Sequence, residues 1–216
     1  MENVRRIRNG IKAVILDFDG TIADSMPFLT KLAVEVITRK YEISKEEAKQ
    51  TYIETTGLNF ASQIESIFPN HPNNLEAVNI FETEKLKDIF NCPIFPDVIH
   101  TLNFFRRKGV KTFICSSTRQ EIVKKYCKLK GLDTLIDGIL GYKPGFEKYK
   151  QLNFIFQKFD LQPGSALFIG DSLKDCDFAE DEGVNFIGIC RIFKSEDFQK
   201  REVLSIDTLS DVMKFF

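Results

Sequence analysis

The sequence predicts an α/β protein built on an open, doubly wound parallel sheet, interrupted once by a block of helices. Three observations predict it. Short apolar runs recur between helical stretches. These runs are apolar on both faces rather than alternating. One long interval contains no such run.

The runs are "KAVILDF" (12–18), "VKTFIC" (110–115), "LIDGIL" (135–140), "SALFIG" (165–170) and "VNFIGI" (184–189). Strands covered by helices on both sides lose the polar face that an exposed sheet keeps, which is why they read as continuous apolar stretches. Between them, "PDVIHTLNFFRRKG" ends in basic residues and Gly109. "TRQEIVKKYCKLKG" is expected to open with a Thr118-x-x-Glu121 capping box and to stop at Gly131. "SLKDCDFAEDEG" runs from Ser172 to Gly183.

The interval from 24 to 92 has no strand signal. Four helical pieces fit it: Pro27 and "FLTKLAVEVITRKY", then "AKQTYIET" behind a Ser44/Glu47 capping box, then "NFASQIESIF" ending before Pro69, then "NLEAVNIFETEKLKDIF" ending before Pro93. A structureless loop of that length would not suit a compact domain, so a helical insert after the first strand is the expectation. The expected organisation is a core from residues 1–23 and 93–216, with 24–92 inserted.

Composition narrows the function classes. The chain has 216 residues, 43% of them hydrophobic and 21 of them Phe, enough for a substantial core. Its net charge of −1 speaks against nucleic acid as the main partner. No apolar run is long enough to span a bilayer. The charged start "MENVRRIRNGIK" is followed by too short an apolar stretch for a secretory signal. Five cysteines, none in a CxxC pair, suit reduced thiols in a cytosolic protein rather than a zinc site. The two histidines, His71 and His100, lie far apart and without a motif, so the chemistry is expected to come from other groups.

Those groups stand at the strand exits. In open parallel sheets, ligands bind beyond the carboxyl ends of the strands. There the sequence places Asp17 and Asp19, then Ser116 and Ser117, then Asp171 and Asp175; Lys143 or Lys148 precedes the fourth strand. Several carboxylates in one pocket repel one another unless a counter-charge joins them. A hard divalent cation supplies it, and Mg²⁺ is the expected one. Such a pocket suits phosphoryl transfer. Metal and lysine would neutralise the phosphoryl oxygens, while a serine hydroxyl and the loop amides at Gly20 and Thr21 would hydrogen-bond them.

"DFDGT" (17–21), the serine after an apolar strand, a lysine, and "GDSLKD" (170–175) resemble the haloacid dehalogenase superfamily of phosphotransferases. The resemblance covers nearly the whole chain, and the insert is similar to that family's smaller cap type. It implies a Rossmann-like core and a role for each residue. Asp17 would be the nucleophile and form an aspartyl phosphate. Asp19 would protonate the leaving oxygen and later activate water. Asp17, Asp171 and the Asp19 backbone carbonyl would hold Mg²⁺, with Asp175 in an acidic second line. Ser116 would bind a phosphoryl oxygen. The second aspartate of the pair also implies a phosphatase or phosphomutase rather than a dehalogenase. Lys148 lies 23 residues before Asp171 and Lys143 lies 28 before it; the resemblance favours Lys148 but leaves both open. The loop "ETTGLNFASQ" is expected to read the substrate through Thr56, Asn59 and Gln63, against the plainer reading of Asn59 as a helix cap.

The expected function is thus a cytoplasmic, Mg²⁺-dependent phosphatase acting on a small phosphorylated metabolite, with no nucleic-acid or membrane partner. A phosphomutase of the β-phosphoglucomutase type is the alternative within enzymes. A phospho-acceptor signalling domain or an inactive scaffold is the alternative outside them.

Overall fold

The computed structural model describes residues 10–216; most of the charged start read above lies outside them. Six parallel strands form one sheet in the order β3-β2-β1-β4-β5-β6. They are β1 (Ala13–Leu16), β2 (Lys111–Arg119), β3 (Gly138–Tyr142), β4 (Ala166–Gly170), β5 (Asn185–Ile189) and β6 (Ser205–Ile206). The crossover helices are α5 (Val98–Arg107), α6 (Gln120–Leu129), α7 (Lys148–Phe159) and α8 (Leu173–Asp181), and α9 (Ser195–Gln199) precedes the edge strand.

Alternation along the central strands divides the core. Val14, Leu16, Ile114, Leu167 and Ile169 face one side, with Leu102 and Phe105 of α5 and Val123 of α6. Ala13, Ile15, Phe113 and Phe168 face the other, with Leu152 and Ile155 of α7. Both layers are closed to solvent, which accounts for the unbroken apolar runs.

Between β1 and α5 lie four helices: α1 (Met26–Lys40), α2 (Lys45–Glu54), α3 (Phe60–Ile67) and α4 (Asn74–Asp88). Their starts follow local chemistry. Ser44 and Asn59 accept the third-residue amides, Glu47 N–H at 3.1 Å and Ser62 N–H at 3.0 Å. Only the Ser44 half of the expected capping box forms. The insert packs as a small bundle joined to the main core through Phe18, Ile22 and Met26.

Three sequence expectations need correction. The third strand is Gly138–Tyr142, not 135–140, because the Asp137 amide is drawn back to the Thr112 carbonyl and its side chain accepts from the Thr112 amide. The second strand continues past Cys115 through a register irregularity to Arg119, so Ser116 and Ser117 lie within it rather than after it. The Thr118-x-x-Glu121 capping box does not form: α6 starts at Gln120 with no side-chain cap, and the Thr118 hydroxyl is engaged elsewhere. The two-residue edge strand β6 gave no periodic signal and was not anticipated.

Candidate active site

The site grows from the exit of β1. The Asp17 amide donates to the Ile169 carbonyl at 2.9 Å, extending the pairing with β4 and bringing Asp17 beside Asp171. Successive side chains on an extended segment point to opposite sides. Phe18 is fully buried against the Tyr126 ring, edge to face at 5.0 Å, so Asp17 and Asp19 are both directed to the other side. The Phe18 carbonyl then accepts from the Ile22 and Ala23 amides at 2.9 Å, turning the chain tightly. Gly20 sits at φ +79° in that turn, and a Cβ there would lie 2.0 Å from Asp171 Oδ2. Glycine is required both for the backbone angle and for the approach of the carboxylate.

Asp17, Asp171 and Asp175 are all buried, and each offers a carboxylate oxygen within 4.8 Å of the others. Lys148, the first residue of α7 and 2% exposed, reaches Asp17 Oδ1 and Asp175 Oδ1, both at 2.5 Å. Asp175 Oδ2 accepts from the Ser172 hydroxyl at 2.6 Å, and Ser172 in turn caps α8 by accepting from the Asp175 amide. Asp171 Oδ2 is buried without a hydrogen-bond partner among the described residues.

One ammonium against three buried carboxylates leaves negative charge uncompensated. Burial, with the charges of Asp175 and Asp19 adding to it and Lys148 opposing, pushes Asp17 up to about 7. Burial and the neighbouring carboxylates also raise Asp171 well above the usual carboxylate range. Burial alone would lower Lys148, but Asp17 and Asp175 hold it above an ordinary lysine. An all-oxygen donor set with excess negative charge and an orphaned carboxylate oxygen fits a hard divalent cation.

Asp19 stands apart from that cluster. Ser25 Oγ donates to its Oδ1 at 2.6 Å and Thr118 Oγ1 to its Oδ2 at 2.5 Å. Its side chain faces a cavity of roughly 50 Å³ between insert and core. Asp17, Lys148 and Asp171 border the cavity from the core; Thr56, Asn59 and Gln63 border it from the insert.

The remaining sequence-predicted residues divide. Ser116 is buried and is not among the residues bordering the cavity; its hydroxyl accepts from the Thr118 amide at 2.9 Å and its backbone is clamped by both ends of the Gln151 amide. Ser117 borders the cavity, but its hydroxyl donates to the Gly57 carbonyl of the insert at 2.5 Å. Thr21 is fully buried, and its hydroxyl has no partner among the described residues. Thr56 Oγ1 and Gln63 Nε2 both donate to the Tyr52 carbonyl, at 3.2 and 3.4 Å. Asn59 forms the plainer helix cap on α3, and it also borders the cavity. Lys143 is exposed, beside a Lys143-Pro144-Gly145-Phe146 turn closed at 2.8 Å, and lines a different cleft.

Thr118, Lys85 and Gly57 were not anticipated. Thr118 was read as a helix cap. Lys85 had a usable signal: it continues the four-residue spacing of buried Ala77 and Phe81 on α4. Gly57, at φ +102°, presses the insert onto Ser172, where a Cβ would meet Ser172 Oγ at 2.4 Å.

Residues 14–189 match the family described as haloacid dehalogenase-like hydrolase, and the chain belongs to that family. It is a phosphatase-type enzyme of that family. It is 22% identical over 189 residues to the phosphoglycolate phosphatase of Synechococcus elongatus, covering 83% of this chain and 84% of that one. A Clostridium perfringens protein named as the pyrophosphatase PpaX is 23% identical over 188 residues, with 83% and 84% covered. Among solved structures, a haloacid dehalogenase-like family hydrolase from Streptococcus pneumoniae superposes with a TM-score of 0.81 at 21% identity, covering 97% of this chain and all of that one. CbbY from Rhodobacter sphaeroides in complex with xylulose-(1,5)-bisphosphate gives 0.74 at 17% identity, with 94% and 96% covered.

Proposed function

We propose that the enzyme hydrolyses a small phosphomonoester in two steps, through an aspartyl phosphate on Asp17. The observation that carries this reading is the buried Asp17, ion-paired to Lys148 and next to the orphaned Asp171 oxygen, with Asp19 two residues away and turned toward the same cavity.

In the first step, an Asp17 carboxylate oxygen bonds to phosphorus and the bond from phosphorus to the alcohol oxygen breaks. Asp19 gives its proton to that departing oxygen. In the second step, Asp19 takes a proton from water, the water oxygen bonds to phosphorus, and the bond to Asp17 breaks. Ser25 and Thr118 hold both Asp19 oxygens and so fix its orientation. Lys148 neutralises charge on Asp17 and the phosphoryl group, and Asp175 holds Lys148 in place. The Ser116 hydroxyl, which accepts from Thr118, keeps its own proton for a phosphoryl oxygen. The Gly20 and Thr21 amides, expected from the sequence to bind the same group, are spent inside the turn instead, on the Ala23 carbonyl at 2.8 Å and the Phe18 carbonyl at 3.4 Å.

Mg²⁺ would be held by Asp17, Asp171 and the Asp19 backbone carbonyl. When bound, it supplies charge neutralisation of the nucleophile and the phosphoryl oxygens. Residues 24–92 are assigned as a cap that closes over the substrate and excludes water. Phosphate esters of the size carried by the named relatives support a small metabolite as substrate. Five cysteines with no CxxC pair support a reducing, cytoplasmic setting.

The test is phosphate release from phosphoglycolate, a panel of sugar phosphates and a generic aryl phosphate, with Mg²⁺, with EDTA, and with Asp17→Asn. Turnover that needs both Mg²⁺ and Asp17 is the expected result. An inert wild type on the whole panel, or turnover that survives Asp17→Asn, overturns it.

A further inference from the structure

Helix α4 buries Ala77, Phe81 and Lys85 at four-residue spacing, so a lysine occupies the third position of an otherwise apolar stripe. Lys85 is 5% exposed. Among the described residues, no carboxylate lies within ion-pair distance of its ammonium. Its hydrogen-bond partner is the Thr118 hydroxyl, at 2.6 Å. Lys148, equally buried, pairs with two carboxylates. A neutral hydroxyl does not replace the water stripped from an ammonium, so a buried charge left in this state calls for an anion.

The place of that anion follows from the cavity. Lys85 borders it from the insert, while Asp17 borders it from the core. Glu82, one turn earlier on α4, borders it too without pairing to Lys85. Asp17 is the end at which phosphorus is attacked in the reading above, so Lys85 faces the part of the substrate that departs. The small volume suits a short group there. Thr118 Oγ1 accepts from Lys85 while donating to Asp19 Oδ2, so the lysine already stands next to the leaving-group side of the site.

We infer that Lys85 is a specificity-determining residue whose ammonium pairs with a second anionic group on the alcohol portion of a short phosphomonoester. This rests on the phosphatase reading of the site. In the absence of substrate, Thr118 occupies the ammonium; the substrate's anion takes its place. The recognised chemistry is shared by a carboxylate and a second phosphate.

The experiment compares kcat/KM for phosphoglycolate, ethylene glycol bisphosphate and propyl phosphate in wild type, Lys85→Met and Lys85→Arg. Wild type should prefer one or both charged esters. Lys85→Met should cut that preference about 10- to 100-fold, the range for a charge-assisted hydrogen bond, and Lys85→Arg should restore part of it. Which charged ester loses more identifies the anion. Equal loss on all three esters would mean that Lys85 only positions Thr118 and Asp19, and the inference falls. No wild-type preference for a charged ester also overturns it. A readout independent of the variants' folding is competitive inhibition of wild type, where phosphonoacetate should bind at least about tenfold tighter than propylphosphonate. Equal inhibition counts against the inference. Failure of wild type on these esters and on an aryl phosphate alike would instead locate the fault in the phosphatase reading.

Discussion

The two halves of the site are held by different physics. On the core side, Asp17, Asp171, Asp175 and Lys148 are almost wholly buried, and Lys148 ties Asp17 and Asp175 by ion pairs at 2.5 Å. Each is fixed by a strand end or a helix start, so moving one disturbs the charge balance of the rest. On the insert side, Gly57 meets Ser117 through a backbone carbonyl, and Lys85 meets Thr118 through a hydroxyl. Such contacts can be broken and remade without exposing a charge cluster. On the proposed reading, chemistry belongs to the ion-paired half, and selection and closure belong to the half held by single hydrogen bonds.

The largest effect should come from removing the nucleophile. Asp17→Asn should lower kcat by roughly 10⁴-fold or more in steady-state assays while the far-ultraviolet dichroism stays native. A loss of tenfold or less would move the chemistry off Asp17 and dissolve the comparison.

Lys148→Met leaves three carboxylates without their cation. It should cost about 3–5 kcal/mol in denaturant unfolding, because breaking a buried pair strands charge, together with a large fall in kcat. A variant as stable as wild type would mean that Lys148 does not hold the cluster together.

The pH dependence has a defined sign. Asp17, raised from 3.8 to about 7, and Asp171, also raised, bind protons in the folded state that the unfolded chain has already released. Metal-free stability should therefore fall as pH rises from about 4 through 7. In EDTA, Tm at pH 5 should exceed Tm at pH 8. Mg²⁺ should raise Tm at pH 8 more than at pH 5, because it binds the deprotonated cluster. A metal-free Tm that climbs across this window would contradict the charge balance drawn here.

The smallest effects belong to the contacts between insert and core. Ser117→Ala removes one hydrogen bond to the Gly57 carbonyl, worth about 1 kcal/mol, and should raise KM several-fold with little change in Tm. Gly57→Ala adds a Cβ at a positive φ and against Ser172, so its KM should rise further than that of Ser117→Ala. If either variant lowered Tm as Lys148→Met does, the two halves would not differ as described.

The same contrast explains what could be read from the chain alone. Asp17, Asp19, Asp171 and Asp175 stand in contiguous motifs at strand exits, and parallel strands necessarily gather their ends at one edge. Helices α1 to α4 were legible from prolines, caps and the lack of a strand run. The spacing to Asp171 favoured Lys148 over Lys143 without deciding between them; the turn at Pro144 and Gly145 exposes one lysine and lets the next helix begin with the other. Thr118 was misread because a hydroxyl before a helix resembles a cap, and only the tertiary fold shows it spent on Asp19. Lys85 and Gly57 contact residues 33 and 60 positions away, a pairing that no local pattern carries.

The most direct test of the central claim is a rapid acid quench during turnover of a substrate labelled in its phosphoryl group, followed by peptide mapping. The account predicts label on the peptide carrying Asp17, formed before steady state and absent from Asp17→Asn. Turnover by wild type with no labelled protein at any quench time, or label on a different residue, would contradict it.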